Sequence, residues 1–379
     1  MKFAIQRDQL MESVQDVMKA ISSRTAIPIL TGMKLEATTE GVKLTGSDSD
    51  ISIESFIPAE EDGTVHIENI EPGSIVLQAK YFPDIVRKVP DNTVEIESDH
   101  TKNVTIRSGS AEFHLNGQDA EEYPSLPQLR TENSFDMPTD LLKRLIKQTG
   151  FAVSTSETRP ILTGVHVSTE EENLQFVATD SHRLASRKIS LETEETLNLP
   201  SVVIPGKSLS ELNKILDDTG DSVQISITDN QILFRTKHLY FLSRLLEGNY
   251  PETSRLIPNE SKTTVLIDSK ELLQSVDRAS LLAKENRNNV VRLLTKENNQ
   301  IEIHGNSPEV GNVTEEVTAD TIDGEELKIS FSAKYMMDAL RAIDATQVKI
   351  SFTGAMRPFL ITPVDDASIL QLILPVRTY

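Results

Sequence analysis

The chain has no cysteine and no tryptophan. Without Cys there is no disulfide, no thiolate nucleophile and no Cys-ligated metal, and a reducing interior fits. Aromatic residues make up only 5% of the 379 positions, so the cores must rest on Leu, Ile and Val. No run approaches the ~20 apolar residues of a membrane-spanning helix. The start, MKFAIQRDQL, lacks the apolar stretch of a secretion signal. A soluble cytoplasmic protein is expected. Positive charge is scarce as well. Lys and Arg number 38 against 58 Asp and Glu, a net charge of -20. Affinity for phosphates needs Lys and Arg, so composition by itself argues against nucleic acid. The phosphate cradles G-x-x-x-x-G-K-S/T and G-x-G-x-x-G are missing, and so are H-E-x-x-H and zinc-ligand spacings. TDSHR sets Asp180, Ser181 and His182 side by side. A catalytic triad is assembled in space from separated residues, so this run argues for no triad. No cofactor, no metal and no enzyme is expected.

What the chain does have is repetition. PILTG occurs at Pro28–Gly32 and again at Pro160–Gly164, 132 positions on (160 minus 28). At the same offset Phe3 matches Phe135, Asp8 matches Asp140, Leu10 matches Leu142, Val14 matches Ile146 and Asp48 matches Asp180. A second series runs at 127. Lys80, Lys207 and Lys334 sit in LQAKYFPDIVRKV, IPGKSLSELNKIL and FSAKYMMDALRAI, and Tyr123-Pro124 recurs as Tyr250-Pro251. A third copy starts near TTVLIDSKELLQSV, with the counterpart of PILTG worn away around Asn288 to Leu294. The Pro residues of EEYPSLP and GNYPETSRLIP favour extended linkers. Three domains follow, near 1–127, 128–256 and 257–379. Each reads as two β-α-β-β-β units, an α+β architecture with both helices on one face of antiparallel sheets.

The six expected helices, near 8–19, 80–88, 139–148, 207–218, 270–287 and 334–341, carry a net +3, leaving -23 on the rest. The alternative is ordinary solvated helix faces. Three similar domains joined end to end can nevertheless close a ring, with helices inside and acidic sheets outside. Closure also removes exposed sheet edges. Such a ring holds a polyanion topologically, without tight electrostatic affinity.

The three-fold repeat, TDSHRLA at Thr179 to Ala185, the GNYPETSRLIP joint and the terminal LILPVR together resemble the bacterial sliding clamps, the beta subunits of DNA polymerase III, over the whole chain. The resemblance implies three tandem processivity-fold domains. It implies a head-to-tail homodimer closing a six-domain ring around double-stranded DNA, with no catalytic activity. The implied partners are the replicative polymerase, a clamp loader, and other replication and repair proteins carrying clamp-binding peptides. These peptides are typically a Gln followed by Leu and Phe residues. The implied peptide pocket uses Leu162, Thr179, Ser181, His182, Arg183, Leu184, Pro251, Arg255, Leu256, Tyr335, Leu372, Leu374, Pro375, Val376 and Arg377. Leu184, Leu256, Leu374 and Val376 would take apolar anchors, Pro251 and Pro375 would stiffen the walls, and Arg183 and His182 would meet peptide polar groups. The sequence departs from the family at Ser181, where Gly is common, and at Pro358, where a small polar residue is often found. The implied DNA contacts are Arg24, Lys207 and the loop around Arg159. The parallel lysines Lys80 and Lys334 and the helix pair Lys143 and Lys147 join them as candidates. The implied dimer interface uses Phe113, Leu281 and Leu282. A peptide-binding scaffold that uses the same cleft without encircling DNA stays open beside this reading.

Overall fold

The computed structural model describes residues 1–127, 134–170, 173–190, 199–217, 220–283 and 289–377. Its first element, the strand Lys2–Gln6, runs into the helix α1, Arg7–Met18. Leu10, Val14 and Val17 of α1 recur at helical spacing and are all fully buried. The same strand-helix start returns at Ser134–Pro138 with α3, Thr139–Thr149, and at Thr263–Asp268 with α5, Ser269–Ala283. The second helix of each copy is α2, Phe82–Lys88, α4, Gly206–Ile215, and α6, Ala333–Ile343. Local chemistry sets several ends. Asp268 Oδ1 accepts from the Glu271 amide at the start of α5. Arg87 and Lys88 face the negative end of α2. Asp344 closes α6 in a left-handed conformation.

Two boundaries differ from the sequence reading. Lys80 precedes α2 by two residues, because Pro83 fits the first turn and starts the helix there. The described part of α5 ends at Ala283; residues 284–287, expected in that helix, lie outside the described residues, as do Asp218 at the expected end of α4 and Asn288 at the worn third copy. Short strands at Glu60–Glu61, Thr64–Val65 and Ile67–Glu71 add to the expected pattern in the first copy.

The chain divides into two units, Met1–Asp140 with Lys214–Leu245, and Leu141–Asn213 with Leu246–Tyr379. The middle copy is shared between them because its sheets are continued by its neighbours' strands. In the first unit Leu239–Arg244 pairs with Ile51–Pro58 inside an eight-stranded sheet. In the second, Arg183–Ser190 pairs with Ile369–Ile373 inside a nine-stranded sheet. The first unit also holds a five-stranded sheet edged by Ala111–Asn116, and the second a four-stranded sheet edged by Gly311–Thr318. All strand pairings among the described residues are antiparallel. Helices cover the apolar faces; Leu272, Val276, Met336 and Leu340 pack with Val291, Ile303 and Phe331 in one continuous core.

Candidate functional site

A row of backbone partners crosses five neighbouring strands of the nine-stranded sheet. Arg183 faces Ile373, Ile373 faces Phe359, Phe359 faces Phe352, and Phe352 faces Thr263. Four segments therefore leave the sheet at one end: the turn 180–182, the tail 374–377, the six-residue connection 353–358, and the linker 251–262. The Leu374 amide donates to the His182 carbonyl at 2.9 Å, and the Lys262 amide to the Phe352 carbonyl at 2.8 Å. Sheet register alone brings these distant stretches of sequence together.

Their floor is apolar. Val177, Leu184 and Leu372 are buried there, with Tyr250, Leu360, Leu370 and Leu374 packed against them. Tyr250 braces one side. Its ring stacks on His166 with centroids 4.9 Å apart, and its hydroxyl accepts from the Thr179 amide at 3.0 Å. Burial pushes the Tyr250 phenol up to about 12 and holds the His166 imidazole below its usual value. Leu256 stays half exposed in the linker beside Arg255, which pairs with Glu252.

The turn is built by its own side chains. Asp180 Oδ1 accepts from the amides of His182 and Arg183 at 2.9 and 3.0 Å, and Thr179 Oγ1 accepts from the Ser181 amide. This geometry drives Ser181 to φ 77°, the left-handed region that favours glycine. The departure at Ser181 thus has a backbone meaning.

Arg183, expected to meet peptide polar groups, is engaged within the chain. It is buried, and every guanidinium nitrogen has a partner. Nε donates to Asp180 Oδ2 at 3.0 Å, Nη1 to Asp338 Oδ2 at 2.8 Å and Nη2 to the Phe151 carbonyl at 2.7 Å. Its planar face lies over Tyr335, 4.5 Å from the ring centroid, and near Phe151. Arg183 holds α6 to the turn instead of offering donors outward. Tyr335 is half-buried under that contact. His182, Ser181 and Arg377 are exposed, so the polar rim falls to them. Leu162 lies buried, while Pro251, Leu374, Pro375 and Val376 are half-buried, Val376 fixed by its amide on the Ser330 carbonyl.

The cationic candidates fall in both units. In the first, Arg24 is exposed with its amide held by Ser22 Oγ, and exposed Lys80 sits 5.1 Å from the centroid of the Tyr81 ring. In the second, Lys143 and Lys147 lie on α3, Lys207 on α4 and Lys334 on α6. Lys147 pairs with Asp344 at 3.3 Å, Lys334 with Asp338 at 2.6 Å, and Arg159 donates to Ser181 Oγ. Phe113 is half-buried on the edge strand Ala111–Asn116. On α5, Leu282 is half-buried and Leu281 is 62% exposed. Among the described residues no group of three or more His, Asp or Glu gathers closely enough to hold a metal ion.

Sequence reasoning missed Tyr250, Asp338 and Met356 as members of this region. Tyr250 carried a signal, because its Tyr-Pro pair repeats that at Tyr123, but it read as a linker mark. Asp338 comes to the site on α6 through its bond to Arg183, and the connection that carries Met356 comes there through strand register.

Models of the DNA polymerase III beta subunit match the chain in three successive stretches: the N-terminal domain over residues 1–127, the central domain over 136–252 and the C-terminal domain over 254–377. The Beta sliding clamp of Bacillus subtilis is 61% identical over the full length of both chains. A crystal structure of the DNA polymerase sliding clamp from Bacillus subtilis superposes with a TM-score of 0.95 at 60% identity, covering both chains fully. A sliding clamp from Pseudomonas aeruginosa bound to griselimycin gives 0.91 at 26% identity, again with full coverage of both. The chain belongs to the DNA polymerase III beta subunit family, the sliding clamps, and is built of three tandem clamp domains.

Proposed function

We propose that this sliding clamp works without catalysis, as two copies closed head to tail around duplex DNA. It tethers the replicative polymerase, and other proteins bearing short clamp-binding peptides, through the cleft at the sheet end marked by Arg183, Ile373 and Phe359. The domains are those near 1–127, 128–256 and 257–379, and the protein acts in the cytoplasm. The observation that carries the tethering is that cleft: an apolar floor of Leu184, Leu372 and Leu374 at the sheet end where exposed His182 sits in the turn, with exposed Leu256 and Arg377 in the linker and tail that leave the same end. A Leu-Phe peptide offers matching apolar anchors, and a backbone-rigid cleft lowers the ordering cost of binding.

Ring closure is supported by two edge strands, Ala111–Asn116 and Gly311–Thr318, which each lack a described partner on one side. Beside the second, Leu281 exposes an apolar side chain that a monomer has no use for. Arg24, Lys80, Lys143, Lys147, Arg159, Lys207 and Lys334 would meet DNA phosphates without base contacts, giving sequence-independent, salt-dependent association.

Two measurements test the reading. The first is solution mass and retention on circular DNA: a dimer of twice 42.1 kDa that stays on closed circles and leaves when they are cut is expected. A stable monomer that never loads would overturn it. The second is fluorescence polarisation with a labelled Gln-Leu-Ser-Leu-Phe peptide. Deleting residues 374–379 should abolish binding while the dimer persists, because Leu374 belongs to the floor and Phe113 and Leu281 lie elsewhere. Unchanged arginine and lysine function would favour the scaffold reading: there, changing Arg24 and Lys207 to Glu would leave every activity intact.

A further inference from the structure

Sulfur is rationed in this molecule. With no Cys, its only sulfur atoms are those of eight Met residues. All eight are described. Met33, Met137, Met336 and Met337 are buried, and Met1, Met11 and Met18 are half-buried. Met356 alone is exposed, at 56%. It sits in the connection 353–358, which leaves the sheet beyond Phe352 and re-enters at Phe359. The ladder Leu360–Leu372 and Phe359–Ile373 brings this connection alongside Leu374. Leu360, two residues into the re-entering strand, already packs on the apolar floor. The connection is shaped by its own bonds, Thr353 Oγ1 donating to the Pro358 carbonyl at 2.9 Å and the Arg357 amide to that of Gly354. The one freely accessible thioether of the chain therefore lies in a connection that leaves the sheet at the same end as the peptide cleft.

We propose that Met356 is an oxidation site that weakens peptide capture when it becomes the sulfoxide. The oxidant is a peroxide. The sulfur lone pair attacks the terminal peroxide oxygen, the O–O bond breaks, sulfur is oxidised, and the peroxide leaves as water or an alcohol. A flexible apolar side chain becomes a polar one, which suits solvent and not a Leu or Phe anchor. The change is reversible in principle by methionine sulfoxide reductases, which return the thioether at the expense of thiols. No thiol in this chain competes for the oxidant. The inference rests on the cleft being the peptide site.

The experiment treats the full-length protein with graded hydrogen peroxide, maps added oxygen by peptide mass spectrometry, and titrates the labelled Gln-Leu-Ser-Leu-Phe peptide at each step. Met356 should gain oxygen first, and the dissociation constant should rise roughly five- to tenfold as it does. Reductase treatment should restore the starting value. A Met356→Leu protein, whatever its own starting affinity, should show the same dissociation constant before and after peroxide. Met356→Gln, a polar stand-in, should mimic the oxidised protein. The proposal is overturned if Met11 or Met18 oxidises ahead of Met356, if fully oxidised Met356 leaves the constant unchanged, or if Met356→Leu loses affinity in parallel. If the untreated protein fails to bind the peptide at all, the cleft assignment fails and the oxidation site falls with it. Binding that survives oxidation overturns the oxidation site alone.

Discussion

The two sheet junctions are built on one plan and finished differently. In the first, Ser243 faces Ile51; in the second, Ile373 faces Arg183. The turns beside them are near copies. Asp48 Oδ1 accepts from the Asp50 and Ile51 amides as Asp180 Oδ1 does from His182 and Arg183, and Ser49 lies at φ 80° as Ser181 does at 77°. The Arg244 amide reaches the Asp50 carbonyl just as that of Leu374 reaches His182. The floors then diverge. Ser47 and Ser52 share a buried hydrogen bond of 2.8 Å where the second junction has Thr179 and Leu184. The strands after the junction are joined by residues 228–230 in the first case and by 353–358 in the second. In the first copy the joint tyrosine, Tyr123, is itself sealed into a small cluster with Ile29, Leu30 and Val76. The first junction is polar and short-looped; the second is apolar, with a connection three residues longer. A binding cleft arises here from changing the finish of a structural joint while keeping its frame.

The most damaging way to break that comparison is to give the second junction the first's residue at Arg183. Arg183→Ile leaves Asp180 and Asp338 without their shared cation. Removing one partner of a buried ion pair costs about 3–5 kcal/mol. The lower end is expected, because Asp338 keeps Lys334 at 2.6 Å and Asp180 keeps two backbone amides. Urea titration should show the transition of the second unit moved to clearly lower denaturant while the first unit's stays put.

Next in size is Leu184→Ser, which copies Ser52. The side chain is fully buried in the floor. Because almost none of it remains for a peptide to cover, the change should show first as about 2 kcal/mol lost from the stability of the second unit in urea, and the loosened floor should then raise the peptide dissociation constant read by fluorescence polarisation. The reverse change, Ser52→Leu, should create no peptide binding, since the short connection at 228–230 supplies no second wall.

How much of this was legible in the sequence follows from the same pair of junctions. The duplication was readable because register survives: Thr31 Oγ1 donates to the Pro28 carbonyl and Thr163 Oγ1 to that of Pro160, one turn made twice by PILTG. Helices announced themselves by period, as in Leu142, Leu145 and Ile146. Pocket membership came largely from family likeness. The part that stayed hidden is long-range. Arg183 meets Asp338 across 155 positions, and nothing local to either residue says so. An arginine in a motif beside a histidine reads as a ligand contact until the fold shows it buried and bonded through all three of its nitrogens. Met356 likewise looks like any loop residue until strand register carries its loop to the cleft.

A smaller effect should appear at the shared turn. Ser49→Gly and Ser181→Gly each relieve a left-handed backbone that glycine adopts freely, worth about 0.5–1 kcal/mol in thermal or urea stability. Equal gains at both junctions would sharpen the claim that the frame is common. A gain in peptide affinity at Ser181 alone would show that its side chain, and its bond to Arg159, restricts the rim.

The smallest expected effect concerns charge beneath the first junction. A cleft of about 770 Å³ there is lined by Glu12, Asp16, Glu61, Asp62, Asp217 and Asp221, with Lys237 and His238 in the turn before the strand Leu239–Arg244. At the positions matching Glu12 and Asp16 the second junction has Arg144 and Gln148, and Lys147 pairs with Asp344. Burial first, and the neighbouring carboxylates Asp217 and Asp16 next, push the Glu12 carboxyl above its ordinary value. Asp16 is raised chiefly by burial despite its bond to Lys19. A carboxyl raised in the folded state holds its proton more readily there than in the unfolded chain. Folding stability therefore falls as pH rises from the ordinary carboxylate value through the raised one, and recovers as pH is lowered through that window. Glu12→Arg removes one of the like charges and installs the second junction's residue. Because Glu12 is only partly covered and still reaches solvent, the gain at pH 7 should be a few tenths of a kcal/mol, roughly the scale of surface pairs, and should shrink in high salt and below the window. Urea titrations at pH 7 and near pH 4, with and without salt, read both dependences. A gain that is flat in pH and salt would mean that helix propensity, and not the crowding of carboxylates, separates the two junctions at this level.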